Sequence, residues 1–424
     1  MNICVVGLWH LGSVTAACLA QAGCIVTGLD ESSEVIAGLS SGHAPLSEPG
    51  LDQLIREGID AGRLSFTTVA ADALKNASVL WVAFDTPVSE EDVADVEYVV
   101  SRVEGLLPQL QSGSLVIVSS QLPVGSVRNL EKRSGRNDIS FAALPENLRL
   151  GKAIEVFTKP DRVIAGVRRD EDRKRISEIL APITDKIEWM SVESAEMTKH
   201  AINAFLATSV VFINEIATIC EDVGADAKEV ERGLKSESRI GPKSYLSPGA
   251  AFAGGTLARD IAFLTALSEK AGKQSPLVAS VKTSNDLHKN WTRRKLQSLL
   301  GKLQGRNIGV WGLTYKVGTD TLRRSSAIEL CSWLHEQGVR VVAHDPAVKE
   351  LPPELQSVIS LKSSPGEAAS NVDALVVATE WPIYRDVTLD LSGTLTVLDA
   401  TRFLRDKFEK HPSVRYVTIG KGLA

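Results

Sequence analysis

The sequence predicts an α/β fold: two Rossmann-like doubly wound parallel-sheet domains joined by a long central helix. Three observations carry this expectation. First, Ile3-Cys4-Val5-Val6 is a short apolar run that stops at Gly7, and a helical pattern follows from Leu11 to Ala22. Second, the same strand, glycine and helix order returns late in the chain, where Asn307 to Trp311 stops at Gly312 and Ser325 to Gln337 has helical periodicity. Third, Ser194 to Asp222 contains no proline or glycine, and Met197, Ala201, Phe205, Phe212, Ile216 and Ile219 recur at helical steps. The fourteen residues from Ala201 to Asn214 carry no charge. That is too short for a bilayer, so the helix is expected to be buried inside the chain or against a second copy.

In the first half, the run Cys24 to Leu29 closes a βαβ unit and ends on Asp30. A dinucleotide fold places the acid that holds the adenosine ribose there, and an acid favours NAD over NADP. The turn reads Gly7-Leu8-Trp9-His10-Leu11-Gly12. Its first and third glycines permit the tight turn and the close helix packing, while Trp9 stands where a glycine normally lets pyrophosphate approach. Its ring must therefore swing away, or binding is weakened or altered. Further strands are expected at Leu64 to Thr67, Ser78 to Phe84, Leu115 to Ser119 and Ile139 to Ala143, with helices around Ala70 to Lys75, Asp95 to Leu107 and Ser126 to Lys132. Ligands of such sheets sit at the C-terminal strand ends. Asp85-Thr86-Pro87, Gln121 to Gly125 and Pro145-Glu146-Asn147-Leu148 fall there, and Glu146 is a carboxylate able to move protons or order water.

On the central helix, Lys199 and Asn203 lie four residues apart and project to one face. Beyond it, Ala227 to Leu234 is a short helix, and a long loop from Arg239 to Asp260 holds four glycines and two prolines. A loop of that length between helices suggests a substrate-binding lid or floor, and Arg239, Lys243 and Arg259 could meet phosphate. Helix resumes from Leu257 to Ala271, and Lys282 to Leu300 reads as one basic amphipathic helix. In the last third, Val339 to His344 ends on Asp345, and later strands fit Ala374 to Ala378, Thr396 to Leu398 and Val414 to Ile419. The expected domains are residues 1–190, a dinucleotide-binding lobe, 191–300, helical, and 301–424, a second Rossmann-like lobe for a second nucleotide ligand.

With 424 residues, 44% hydrophobic and a net charge of -5, the chain has the composition of a soluble globular protein, not of a general nucleic-acid or membrane-surface binder. Its five cysteines are widely spaced and sit in strand or helix patterns, suggesting reduced core residues in the cytoplasm and no metal site. The N-terminal strand has no basic leader, and neither a signal peptide nor a membrane span is expected.

Taken in order, these segments resemble the UDP-glucose/GDP-mannose dehydrogenases. The resemblance rests on the turn with Asp30; Gly42, Pro45 and Glu48-Pro49-Gly50-Leu51; Thr86-Pro87; Pro123-Val124-Gly125; Pro145-Glu146; Pro160 to Val163; Ala195-Glu196, Thr198-Lys199 and Asn203-Ala204; Arg239-Ile240-Gly241; Gly254 and Asp260; Gly312-Leu313, Lys316 and Thr319-Asp320; Arg323; and Ala378 to Trp381. It implies oxidation of a sugar C6 hydroxyl with NAD, twice, to a carboxylate. By this resemblance Lys199, Asn203 and Asp260 act at C6, and Glu146 handles a proton or a hydrolytic water. Gly7, Leu11, Gly12, Asp30, Thr86, Gln121 and Arg323 serve the cofactor. Leu148, Arg239, Tyr245, Gly254 and Lys316 hold a nucleotide sugar, with UDP-hexose the leading class. A homodimer built on the central helix is implied as well.

Four positions tied to the cofactor or to the second oxidation depart from the family pattern, Trp9 among them. Thr256 holds the place of the family's nucleophilic cysteine, and a threonine hydroxyl is a far poorer nucleophile. Gln121 stands for a threonine and Leu150 for an acid. Three readings follow: a 6-dehydrogenase that reaches the acid through an aldehyde hydrate, an enzyme that stops at the aldehyde or epimerises, or a silent nucleotide-sugar-binding paralogue. The retained Lys199, Asn203, Glu146 and Asp260 favour an enzyme.

Overall fold

The computed structural model describes residues 1–89, 94–146, 148–252, 255–391 and 393–422. The chain divides into two compact units, Met1–Ile202 and Asn203–Ala424, each with its own sheet.

The first unit runs β1 (Asn2–Val6), α1 (His10–Gln21), β2 (Ile25–Leu29), α2 (Ser33–Ser40), α3 (Leu51–Asp60), β3 (Leu64–Thr67), α4 (Ala70–Leu74), β4 (Val79–Val82), α5 (Val96–Leu106), β5 (Leu115–Val118), α6 (Ser126–Ser134), β6 (Ser140–Ala143), α7 (Ala153–Thr158), β7 (Val163–Gly166), α8 (Asp170–Leu180), β8 (Ile187–Met190) and the first turns of α9 (Val192–Val223). The sheet order is β3-β2-β1-β4-β5-β6-β7-β8. Because β1 pairs with both β2 and β4, the connections diverge on either side of it and open a crevice at its C-terminal end. Both faces are covered. Ile3 and Val5 join one core cluster, while Cys4 and Val6 join the other, as the period of two requires.

The sheet extends two strands beyond the sequence expectation, and it is not parallel throughout. β6 meets β7 antiparallel through Ala143 and Gly166, after which β7 and β8 pair in parallel. Gly166 lies under α9: a Cβ there would be 2.7 Å from the Val192 Cα and the Ala195 Cβ.

The second unit begins with the rest of α9 and continues with α10 (Ala227–Ser236), α11 (Thr256–Lys270), α12 (Pro276–Lys289), α13 (Trp291–Leu300), β9 (Asn307–Trp311), α14 (Ser326–Glu336), β10 (Arg340–His344), α15 (Pro353–Gln356), β11 (Ile359–Leu361), α16 (Pro365–Ala369), β12 (Ala374–Val377), β13 (Leu395–Asp399), α17 (Arg405–Phe408) and β14 (Val414–Val417). Its parallel sheet has the order β11-β10-β9-β12-β13-β14. The single helix expected over Lys282 to Leu300 is two helices. The chain turns at Asn290, whose N–H bonds to the Leu287 carbonyl, three residues back, and ends α12.

By length and composition alone α9 could cross a membrane. In the second unit it buries Ala204, Ala207 and Val211 with Ile261 of α11 and Val281 of α12. Glu221 anchors its C-terminal turns, accepting from Trp291 Nε1 at 2.8 Å and the Gly420 N–H at 2.9 Å. The stripe that marked the helix in the sequence is not what this chain buries. Phe205 is 70% exposed, and Met197, Phe212, Ile219 and Val223 are exposed as well.

Replacing Gly166 with Ala forces a methyl group against the α9 backbone. We expect a loss of about 1–3 kcal/mol of stability, read as a lowered denaturant midpoint. An unchanged midpoint would contradict this close approach.

Candidate active site

The turn after β1 is shaped by what its glycines exclude. Gly7 has φ 86°, and a Cβ there would sit 2.6 Å from the Phe84 ring. A Cβ on Gly12 would meet the Gly7 carbonyl at 1.9 Å, so only glycine lets α1 start this close to the turn. Asp30, at the end of β2, accepts the Leu8 N–H at 2.8 Å and the Ser32 N–H at 3.0 Å while staying part-exposed. The N-terminus of α1 with a reachable acid beside it fits a dinucleotide. Trp9 is 48% exposed, so its indole has swung outward. Leu11 N–H lies 3.5 Å from an Asp85 oxygen, and Thr86 donates to the Gln121 carbonyl at 2.8 Å, which brings those two residues together.

A crevice at the strand ends of the first unit is lined by Gln121, Glu146, Glu196, Lys199 and His200. Lys199 donates from Nζ to the Glu146 carbonyl at 2.6 Å, and the Glu146 carboxylate accepts the Leu148 N–H. Burial pushes the Glu146 carboxyl above the usual carboxylate range, against the opposing charge of Lys199. Glu196 is one turn before Lys199 and accepts the Gly125 and Val127 N–H groups at 2.7 and 3.0 Å, capping α6. Burial pushes its carboxyl up too, and these N–H groups work against that rise. His200 Nε2 donates to the Leu122 carbonyl at 2.9 Å.

In the second unit, Asn203 donates from Nδ2 to Asp260, which is fully buried. Thr256 is exposed at the first position of α11, one turn before Asp260. The preceding loop is pinned from three sides. Asn214 accepts the Gly249 N–H at 3.0 Å, His288 donates to the Gly249 carbonyl at 2.9 Å, and Asn285 bonds both the N–H and the carbonyl of Phe252. Burial pushes the His288 pKa down, which favours the neutral ring. Arg239, Tyr245 and Arg323 are exposed, with the Arg239 guanidinium 3.0 Å from Glu237; Lys316 is half-buried, and Gly254 lies outside the described residues.

The second lobe repeats the turn without its opening. A Cβ on Gly312 would meet Thr379, and Asp345 accepts from Leu313 N, Thr314 N, Ala347 N and Trp381 Nε1. That carboxylate is buried, and the next helix starts only at Ser326. A dinucleotide fits the first lobe and not this one.

The chain matches the NAD binding domain of the UDP-glucose/GDP-mannose dehydrogenase family over residues 1–184, its central domain over 193–287 and its UDP binding domain over 309–408. It belongs to that family. It is 35% identical to a UDP-glucose 6-dehydrogenase of Pseudomonas aeruginosa, covering 91% of this chain and 89% of the relative. It is 32% identical to UDP-glucose 6-dehydrogenase TuaD of Bacillus subtilis, covering 93% and 87%. A solved UDP-glucose dehydrogenase from Pyrobaculum islandicum superposes with a TM-score of 0.87 at 27% identity, covering 99% of this chain and 98% of the other. The protein is accordingly an NAD-dependent oxidoreductase of a nucleotide sugar.

Sequence reasoning assigned no role to Glu48, Glu196, Asn214, Asn285 or His288, all of which hold site loops in place. Glu48 and Glu196 were visible only as parts of family motifs. Because the Trp9 indole already points outward, exchanging Trp9 for Gly removes no obstacle from the path of the pyrophosphate. We expect NAD affinity to change by no more than about twofold in calorimetric titration, and a several-fold gain would show that the indole obstructs the pyrophosphate.

Proposed function

We propose that this family member is a UDP-hexose 6-dehydrogenase that reaches the uronate through an aldehyde hydrate. The observation that carries the reading is the buried crevice in which Lys199 is held against the Glu146 loop. Lys199 takes the C6 hydroxyl proton or stabilises the developing alkoxide, and Asn203, one turn along α9, orients the hydroxyl. NAD, when bound, accepts the hydride. Asp260 holds the Asn203 amide through the bond already described. Gly7, Leu11, Gly12, Asp30, Thr86, Gln121 and Arg323 serve the cofactor, and Leu148, Arg239, Tyr245, Gly254 and Lys316 the nucleotide sugar.

The second oxidation has no thiol to use. All five cysteines are buried, and burial pushes Cys4, Cys18 and Cys331 up to about 12. Thr256 lacks an activated nucleophile's chemistry. Water therefore adds to the aldehyde carbon, with Glu146 or Asp260 taking the proton. With NAD bound again, the hydrate would lose its hydride to it and its remaining proton to solvent, so that each sugar would yield two NADH and one carboxylate. An enzyme that halts at the aldehyde is the second reading, favoured by the same Thr256.

We further propose the division into residues 1–190, 191–300 and 301–424, with a homodimer formed through α9. The exposed stripe of Phe205, Phe212, Ile219 and Val223 supports the dimer, since soluble chains seldom leave such a row of large apolar side chains in water.

Two measurements test these statements. NADH released per UDP-glucose, with the product weighed by mass spectrometry, is expected to be two, with iodoacetamide leaving the rate unchanged; one NADH with an aldehyde identifies the second reading, and none with any UDP- or GDP-sugar refutes the dehydrogenase. The double change Phe205→Glu and Phe212→Glu should convert a dimer into a monomer in sedimentation, and an unaltered mass would place the interface elsewhere.

A further inference from the structure

Glu48 lies between α2 and α3, far in sequence from the groups it joins. Its Oε2 is 3.0 Å from His10 Nε2 and accepts the Gly151 N–H at 2.7 Å, and its Oε1 accepts the Ala153 N–H at 2.9 Å. The Glu48 side chain is 1% exposed and that of His10 14%. Burial alone would raise the Glu48 carboxyl, but His10 and the two backbone donors prevail and hold it below its ordinary value. It is therefore an ionised acceptor facing three donors.

Those donors belong to two different parts of the crevice. His10 is the first residue of α1, inside the cofactor turn. Gly151 and Ala153 follow Glu146 in the loop that leads into α7, and Ala153 opens that helix. The loop is pinned at its start by Lys199 on the Glu146 carbonyl and at its end by Glu48. We propose that Glu48 is a positioning residue which, through His10, fixes the Glu146 loop relative to the cofactor turn, so that NAD binding and the proton chemistry at Glu146 share one mechanical link. The inference rests on the role proposed for Glu146.

Replacing Glu48 with Gln leaves one acceptor oxygen for three donors and aims an amide N–H₂ at one of them, which frees the loop from the turn. Glu146 is faced by Lys199 of α9, His10 of α1 and Asp85 of the loop after β4, with Glu196 and His200 of α9 in the same crevice. Of these only His10 is altered in the variants, losing its carboxylate partner or its ring, and its downward pull on the Glu146 carboxyl is weaker than the upward push of burial. Water admitted by the loosened loop lowers the Glu146 pKa, because burial is what raises it.

The experiment measures kcat, KM and the acid limb of the kcat profile for Glu146→Gln, Glu48→Gln, His10→Phe and His10→Gln in the full-length enzyme. We expect Glu146→Gln to abolish uronate formation. Glu48→Gln and His10→Phe should lower kcat about tenfold or more, weaken NAD binding and move the acid limb to lower pH. His10→Gln, which keeps an N–H donor for Glu48, should recover most of the wild-type rate. If Glu146→Gln keeps its rate of uronate formation, the role of Glu146 is wrong. If Glu146→Gln forms no uronate while Glu48→Gln keeps the wild-type kcat and acid limb, the link is wrong. Should Glu48→Gln fail to fold, the His10 pair decides, and identical behaviour of His10→Phe and His10→Gln overturns the proposal.

Discussion

A carboxylate buried against backbone N–H groups is the interaction on which the loops at the strand ends depend. Every helix start leaves N–H groups that the helix itself does not satisfy, and each one left dry and unpaired costs about 1–3 kcal/mol, which a carboxylate accepting from two of them offsets. Asp30 meets Leu8 and Ser32, Glu48 meets Gly151 and Ala153, and Glu196 meets Gly125 and Val127. In the second unit Asp345 meets Leu313, Thr314 and Ala347, and Asp399 meets Phe403 and Leu404. These pairings place the segments that carry Leu8, Gln121 and Glu146 within the first unit, and they leave Lys199 and His200 to close the crevice from α9.

One device thus serves opposite ends in the two lobes. Asp30 spends its oxygens on two N–H groups and keeps a face toward solvent, where a ribose can reach it. Asp345 gathers more donors, Trp381 among them, and is sealed. The difference follows from what comes after each glycine. His10 starts a helix directly behind the first turn, whereas the second turn leads into a loop that folds back and brings Thr314 onto its acid. Similar strand orders therefore do not imply similar ligands.

Much of this was legible in the sequence because it is local. The strand, glycine and helix order of both lobes, the uninterrupted α9, and the four-residue step from Lys199 to Asn203 all follow from periodicity. What escaped was either short or distant. β7 is four residues long, and β8, Ile187-Glu188-Trp189-Met190, is only partly buried, so neither shows a clean period. Glu48 reaches a partner 105 residues away and Glu196 one 69 residues away, separations that no local pattern reports. The apolar stripe of α9 was visible, but periodicity says only that a face is apolar, not what covers it. Within the second unit, Ala204, Ala207, Val211, Ile213 and Ala217 do the packing while Phe205, Phe212, Ile219 and Val223 face outward.

The placement of the cysteines bears on the conditions under which the protein can work. Each thiol sits in a core, and none lies among the residues that line the crevice. A sulfur nucleophile at an active site is open to peroxide, which converts a thiolate to sulfenic and then to irreversible sulfinic acid. With every thiol shielded in a core, none of the residues that line the crevice offers a thiol for an oxidant to attack.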